Sequence, residues 1–198
     1  MIKSSEERKQ EKQQQIQTLV FDTTTKLMKR YNFDEITIRM ICAEANISIG
    51  MFYRNFSGKT DILSYFYQKA LADYKEILDT QQNLNFKEKL LTYYIWVASY
   101  TASFGNDFIK HFYTPGNNTI KADSETNEIA ALSNQILQEA IDKQEYILPK
   151  GRKCMDITHD FLVLIKGIIL DWYVNDGAYD LLEYASGYLR RVADILLF

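Results

Sequence analysis

A chain of 198 residues, 46% apolar and 25% charged, can bury a substantial core in one domain, or in a small one joined to a larger one. With only 8 Gly and 2 Pro it argues against a turn-rich β fold and for mostly helix, and no stretch reads as a signal peptide or a membrane span. The net charge of −3 divides unevenly: residues 1–60 carry 10 Lys and Arg against 7 Asp and Glu, residues 61–198 carry 13 against 19. A mildly basic head on an acidic body suits a protein that presents one end to phosphates. Cys42 and Cys154 lie far apart without an export signal and read as reduced thiols. The expectation is an all-α, soluble, cytoplasmic protein of about nine helices.

Residues 1–15 are polar, and Ser4 with Glu7 has capping-box spacing, so the first helix can start there. Arg8, Lys9 and Lys12 form a small basic cluster that could touch a nucleic acid as an N-terminal arm, but Glu6, Glu7 and Glu11 offset it in sequence and it reads rather as a solvated face. From Ile16 the helical period is firm, with Ile16, Leu19, Val20, Thr23, Leu27 and Met28 on one face as far as about Tyr31. Phe33, Ile36 and Ile38 anchor the loop that follows.

Thr37 to Phe56, TIRMICAEANISIGMFYRNF, reads as two short helices joined by a tight turn. Thr37 is placed to cap the first, whose apolar side is Ile38, Ile41, Cys42 and Ala45. Asn46 falls where that helix must stop, because Asn tolerates the left-handed backbone of a helix end. Ile47 plugs the turn, and Ser48 caps a second helix from Ile49 to Asn55. Such a helix-turn-helix can lay its second helix in the major groove of DNA. Thr37, Ile38, Arg39, Ile41, Ala45, Ile47, Ser48, Phe52, Tyr53, Phe56 and Lys59, preceded by the helix Ile16–Tyr31, make the first 65 or so residues resemble the DNA-binding domain of the tetracycline-repressor (TetR) family. The resemblance implies a boundary between residues 1–58, the DNA-binding domain, and residues 59–198, a helical domain for ligand sensing and dimerisation.

Beyond Gly58 a long helix runs from Lys59 to about Asp79, with Ile62, Leu63, Phe66, Tyr67, Ala70 and Tyr74 on its apolar side. Gln81 to Asn85 breaks the pattern, and Phe86 to Phe104 is dense in aromatics. Gly105-Asn106, the short helix Asp107–Tyr113, a turn at Pro115-Gly116 and a polar connection, Asn117 to Glu125, come next. An amphipathic helix to about Glu145 and two strongly apolar ones, Cys154 to Asn175 and Ala178 to Leu197, complete the chain, with a turn at Asp176-Gly177. The breadth of apolar surface on the last two suggests a pair that packs on its own copy. Phe161, Ile165, Ile168, Tyr188, Val192 and Ile195 are the interface candidates. The resemblance implies the same homodimer, since the family dimerises through these helices.

Thr37, Ser48, Tyr53 and Lys59 are the candidate phosphate contacts, set at helix starts or carrying a hydroxyl or a charge. Ile49, Gly50, Met51, Arg54 and Asn55 face outward on the second helix as base readers, and Arg39 can reach either backbone or base. Ile49 stands where the family most often has Lys, and Asn55 where it has His, so the operator sequence stays open. A two-fold dimer would demand a near-palindromic double-stranded operator. Tyr93, Trp96, Tyr100, Phe104, Phe108, His111, Phe112 and Trp172 are candidates for lining an apolar effector pocket, or simply core. The resemblance implies a regulator, more often a repressor, released by a small molecule. No phosphate loop, metal-ligand spacing or Cys-x-x-Cys pair is present in the sequence, so no cofactor, no metal and no enzymatic activity are expected. Two other readings are a helical enzyme using the aromatic region, and a protein-interaction adaptor with a structural helix-turn-helix.

Overall fold

The computed structural model describes residues 4–81, 83–114 and 128–198. The Pro115-Gly116 turn, the connection Asn117–Glu125 and the side chain of Tyr67 lie outside the described residues. Among the described residues every regular element is helical. In chain order they are α1 (Ser5–Met28), α2 (Ile38–Glu44), α3 (Ile49–Tyr53), α4 (Lys59–Ser64), α5 (Phe66–Leu78), α6 (Phe86–Ser103), α7 (Asn106–Phe112), α8 (Glu128–Asp142), α9 (Cys154–Val174) and α10 (Leu181–Leu197), with a 3-10 turn at Asp79–Gln81. The single long helix expected from Lys59 is interrupted at Tyr65, which gives α4 and α5. Counted as one broken helix, the pair restores the expected nine. No helix among the described residues is long and apolar enough to cross a membrane.

Local chemistry accounts for most boundaries. The Ser4 hydroxyl accepts from the Glu7 amide at 3.1 Å while the Glu7 carboxylate accepts from the Ser4 amide at 2.6 Å, so α1 starts at the expected capping box. α6 starts the same way, with Asn85 and Glu88 exchanging bonds at 3.0 and 3.1 Å. That N-x-x-E signal is a local one, carried by Asn85 and Glu88 alone. At the other end of the chain, Asp176 and Gly177 both take positive φ, 51° and 70°, between α9 and α10.

α6 packs against α8, α9 and α10, and α1 against α2, α4 and α7. One continuous apolar cluster runs from Val20 and Phe21 in α1 to Leu197 in α10. On α1 the inward stripe differs from expectation: Leu19 is 41% exposed, and Phe21 is fully buried, meeting Tyr65 and Phe104 edge-on. On α9 the correction is larger. Phe161, Ile165 and Ile168 are buried within the chain's own core, Phe161 stacked on Tyr94 at 5.0 Å. The apolar residues left outward on α9 are Val163, Leu170 and Val174, with exposed Gly167 on the same stripe. On α10 the outward set includes Tyr184, partly exposed Tyr188 and Val192, and Ile195 at 79% exposure.

Candidate nucleic-acid interface

The site is built on two caps and one left-handed residue. The Thr37 hydroxyl accepts from the Met40 amide at 3.2 Å and starts α2, and the Ser48 hydroxyl accepts from Met51 at 3.1 Å and starts α3. Between them Asn46 has φ +52°, and the Ile47 amide returns to the Cys42 carbonyl at 3.0 Å while the Asn46 amide returns to Ala43 at 3.3 Å. This pair of bonds is the Schellman closure of a helix end, and it sets the angle between α2 and α3. Phe52 and Phe56 are buried beneath the turn with rings 5.7 Å apart. α3 is shorter than expected, because the Asn55 side-chain amide folds back onto the Met51 carbonyl at 2.8 Å and closes it.

With Phe52 inward, the opposite face of α3 is open. Ile49 is 45% and Tyr53 57% exposed, Gly50 and Arg54 are exposed, and Met51 and Asn55 are half-buried. A side-chain carbon on Gly50 would approach only the Ser48 hydroxyl, at 4.0 Å, so nothing among the described residues requires glycine there. Thr37 and Arg39 are exposed on α2. Arg39 and Arg54 make no ion pair or hydrogen bond among the described residues. Lys59 behaves differently. Its ammonium turns onto the Phe33 and Asp34 carbonyls and lies over the Phe33 ring at 4.5 Å, so it secures the α1–α2 loop.

That loop is held from the body as well. The Phe33 amide donates to Asp107 Oδ2 on α7 at 2.6 Å, and the His111 ring lies 4.8 Å from the Phe33 ring. His111 Nε2 is 3.5 Å from Asp107 and 3.7 Å from Asp34 and forms no hydrogen bond among the described residues. Sequence reasoning missed Asp107, since its partner lies 74 residues away.

Comparison with known proteins fits this geometry. Residues 20–66 match the family model described as bacterial regulatory proteins, tetR family. The match covers the N-terminal helices, and this module is similar to that family's. Comparison with curated protein sequences gives no match. Solved structures with the same fold include the transcriptional regulator FadR from Bacillus subtilis in complex with stearoyl-CoA, at 19% identity and a TM-score of 0.59 over 91% of this chain and 97% of that one. A TetR-family transcriptional regulator from Syntrophomonas wolfei gives 15% identity and 0.67 over 91% and 95%. NemR from E. coli in its reduced form gives 14% identity and 0.55 over 89% and 96%.

The expected pocket residues fall into four places. Tyr100, Phe104, Phe108 and Phe112 pack around Phe66, whose ring lies 4.7–5.7 Å from each of theirs. Trp96 stacks on Tyr100 at 4.7 Å and joins this group to Tyr74. Tyr93 faces α8, donating to the Ile129 carbonyl at 2.9 Å. Trp172 closes the α9–α10 turn, its indole N–H donating to the Tyr179 carbonyl at 2.9 Å. His111 belongs to the loop contact already described. Where Tyr100 donates to Asp73 at 2.8 Å, burial and the carboxylate together push its phenol well above the usual tyrosine range. Among the described residues no group of three or more His, Cys, Asp or Glu side chains is arranged to hold a metal ion.

Proposed function

We propose that the chain is a sequence-specific DNA-binding transcriptional regulator that works as a homodimer, divided near residue 58 into a DNA-reading unit and a sensing and dimerising body. The observation that carries the reading is the outward face of α3. Ile49, Gly50, Tyr53 and Arg54 are presented on a helix rigidly capped at Ser48, and among the described residues no packing explains Gly50 and no partner engages Arg54. Thr37, Ser48 and the Tyr53 hydroxyl take phosphates, Ile49 and Met51 meet base edges and thymine methyls, and Arg54 contacts a guanine or a phosphate. Arg39 adds a backbone or base contact from α2. Lys59 acts chiefly through the loop it holds, and Asn55 by ending α3.

Dimerisation is supported by the apolar stripe Val163, Gly167, Leu170 and Val174 on α9 beside Tyr184 and Tyr188 on α10. A groove of about 320 Å³ lies between these helices, lined by Val163, Leu164, Gly167, Ile168, Asp171, Tyr184 and Tyr188. A second copy seated there would place two recognition helices for a near-palindromic operator. Repression released by a small hydrophobic effector is the regulatory mode the family favours, and FadR's stearoyl-CoA shows the ligand class one protein of this fold accepts. Here Tyr100, Phe104, Phe108 and Phe112 pack on Phe66, so an effector entering among these rings would have to displace them.

The test is footprinting of a duplex selected from random sequence by the purified protein. Tyr53→Phe should weaken every sequence alike, by roughly fivefold for one lost hydrogen bond of about 1 kcal/mol. Arg54→Ala should cost about 1–3 kcal/mol and relax discrimination at one position if it reads a base. Failure to select any sequence would sink the DNA reading and favour the adaptor.

A further inference from the structure

The geometry points to a second DNA-contacting surface outside the helix-turn-helix: the N-terminal half of α1, where Lys9 and Lys12 bind backbone phosphates next to those flanking the recognition helix. The inference rests on the DNA-binding reading above. A groove of about 300 Å³ runs between α1 and α3, lined by Lys9, Lys12, Gln13, Ile16, Met51, Arg54 and Asn55. Its floor is Ile16 and Met51. Its charges are three cations, from Lys9, Lys12 and Arg54, and its lining contains no carboxylate. None of these cations has an ion pair or hydrogen bond among the described residues.

Lys9 and Lys12 are offset in sequence by Glu6, Glu7 and Glu11, but the helix separates the signs. At 100° per residue, Lys9, Lys12, Gln13 and Ile16 share an arc of about 100°. Glu7, Glu11, Gln14, Gln15, Thr18 and Asp22 share an arc of similar width on the opposite side. Glu11, Gln14, Gln15, Thr18, Leu19 and Asp22 line a separate groove there, and Glu7 is engaged with the Ser4 cap. Glu6 lies at the edge of the basic arc, outside the lining of its groove.

A recognition helix in a major groove roughly 12 Å wide brings whatever lines its flank against the bordering phosphate strand. Here the flank is this basic groove, and the occupant its charge selects is that strand. Each lysine then releases counterions and carries no sequence information.

The experiment compares wild type with Lys9→Gln/Lys12→Gln and Lys9→Arg/Lys12→Arg, measuring affinity for one selected duplex and for shuffled duplexes at 50 and 200 mM salt. Gln matches Lys closely in helix propensity, so α1 is kept, and far-UV circular dichroism checks it. The Gln pair should bind all duplexes more weakly, with a log–log salt slope shallower by about 1.8 per bound protomer. Over this fourfold salt range, wild type should therefore lose roughly 12-fold more affinity per protomer than the Gln pair. The Arg pair should restore both affinity and slope, and discrimination between duplexes should not change. An unchanged slope and affinity in the Gln pair, with Tyr53→Phe still weakened, would overturn the inference while leaving the DNA reading intact. A wild-type protein that selects no duplex would remove both.

Discussion

Asp107 is the side chain whose loss should be felt furthest from its place in the sequence. Its carboxylate is 23% exposed, accepts the Phe33 amide at 2.6 Å and sits in the first turn of α7. Replacement by Ala removes a hydrogen bond to a charged group, about 1.5–3 kcal/mol, and a favourable charge at a helix start, about 0.3–1 kcal/mol. A loss of about 2–3 kcal/mol is expected, lowering the melting temperature by roughly 4–12 °C for a chain of this size. Asp107→Asn keeps an acceptor and should lose about half as much. Asp34→Ala is the control: that carboxylate is 72% exposed, and His111 and Lys110 are 3.7 and 3.9 Å away, so its removal should cost less than about 0.5 kcal/mol. Urea unfolding followed by far-UV circular dichroism at one protein concentration measures all three, the concentration being held because any self-association is linked to stability. Equal midpoints for Asp107→Ala and Asp34→Ala would refute the claim that this bond holds the α1–α2 loop.

Gly50→Ala should leave the fold as stable as wild type or slightly more so, since a methyl group there meets only the Ser48 hydroxyl at 4.0 Å. Its affinity for a selected duplex should nevertheless fall at least tenfold, and unchanged binding would show that the α3 backbone does not approach the groove floor. Val163→Glu should give monomers by analytical ultracentrifugation with the helical spectrum intact, whereas Phe161→Ala, at 0% exposure, should cost about 3–5 kcal/mol in denaturant. In alkali, burial pushes the Tyr74 hydroxyl up to about 12 and raises that of Tyr94 further. Above about pH 10 the unfolded chain loses these protons while the folded chain keeps them, so stability should fall as pH rises, by about 1.4 kcal/mol per pH unit for each such tyrosine. Urea midpoints at pH 9, 10 and 11 read the slope, and a flat profile would contradict their burial.

What could be read from the sequence was what a few neighbouring residues decide. Ser4 with Glu7, Thr37, Asn46 and Ser48 each act on a backbone group within four or five positions, and each lies where its residue type suggested. Contacts that close over long separations were not legible. Nothing near Lys59 says that its ammonium will turn onto Phe33, or near Asp107 that its partner lies in the α1–α2 loop. The last two helices failed for a different reason. α9 is apolar almost all round, so Phe161, Ile165 and Ile168 look no different in sequence from Val163, Leu170 and Val174, and periodicity alone cannot choose which stripe faces α6 and α8. The aromatics of α6 and α7 were identified as a group, but their spacing could not distinguish rings around a cavity from rings packed on Phe66.

Those rings and the helix-turn-helix share parts, which limits how an effector could act. Phe66, at the centre of the aromatic group, directly follows Tyr65, whose hydroxyl is 2.8 Å from the Thr18 hydroxyl of α1. Phe108 and Phe112 belong to α7, which also carries the Asp107 that holds Phe33. Phe104 touches both Phe66 and Phe21 of α1. A ligand large enough to part Phe104, Phe108 and Phe112 cannot do so without moving α7 or α5, and each of these is tied to the frame of α2 and α3. The close packing makes the response a choice between two arrangements rather than a gradual strain. If DNA favours the filled arrangement, effector and DNA must oppose one another by equal factors. Asp107→Ala, which cuts one of the ties, should shrink that factor without adding or removing a contact to either partner.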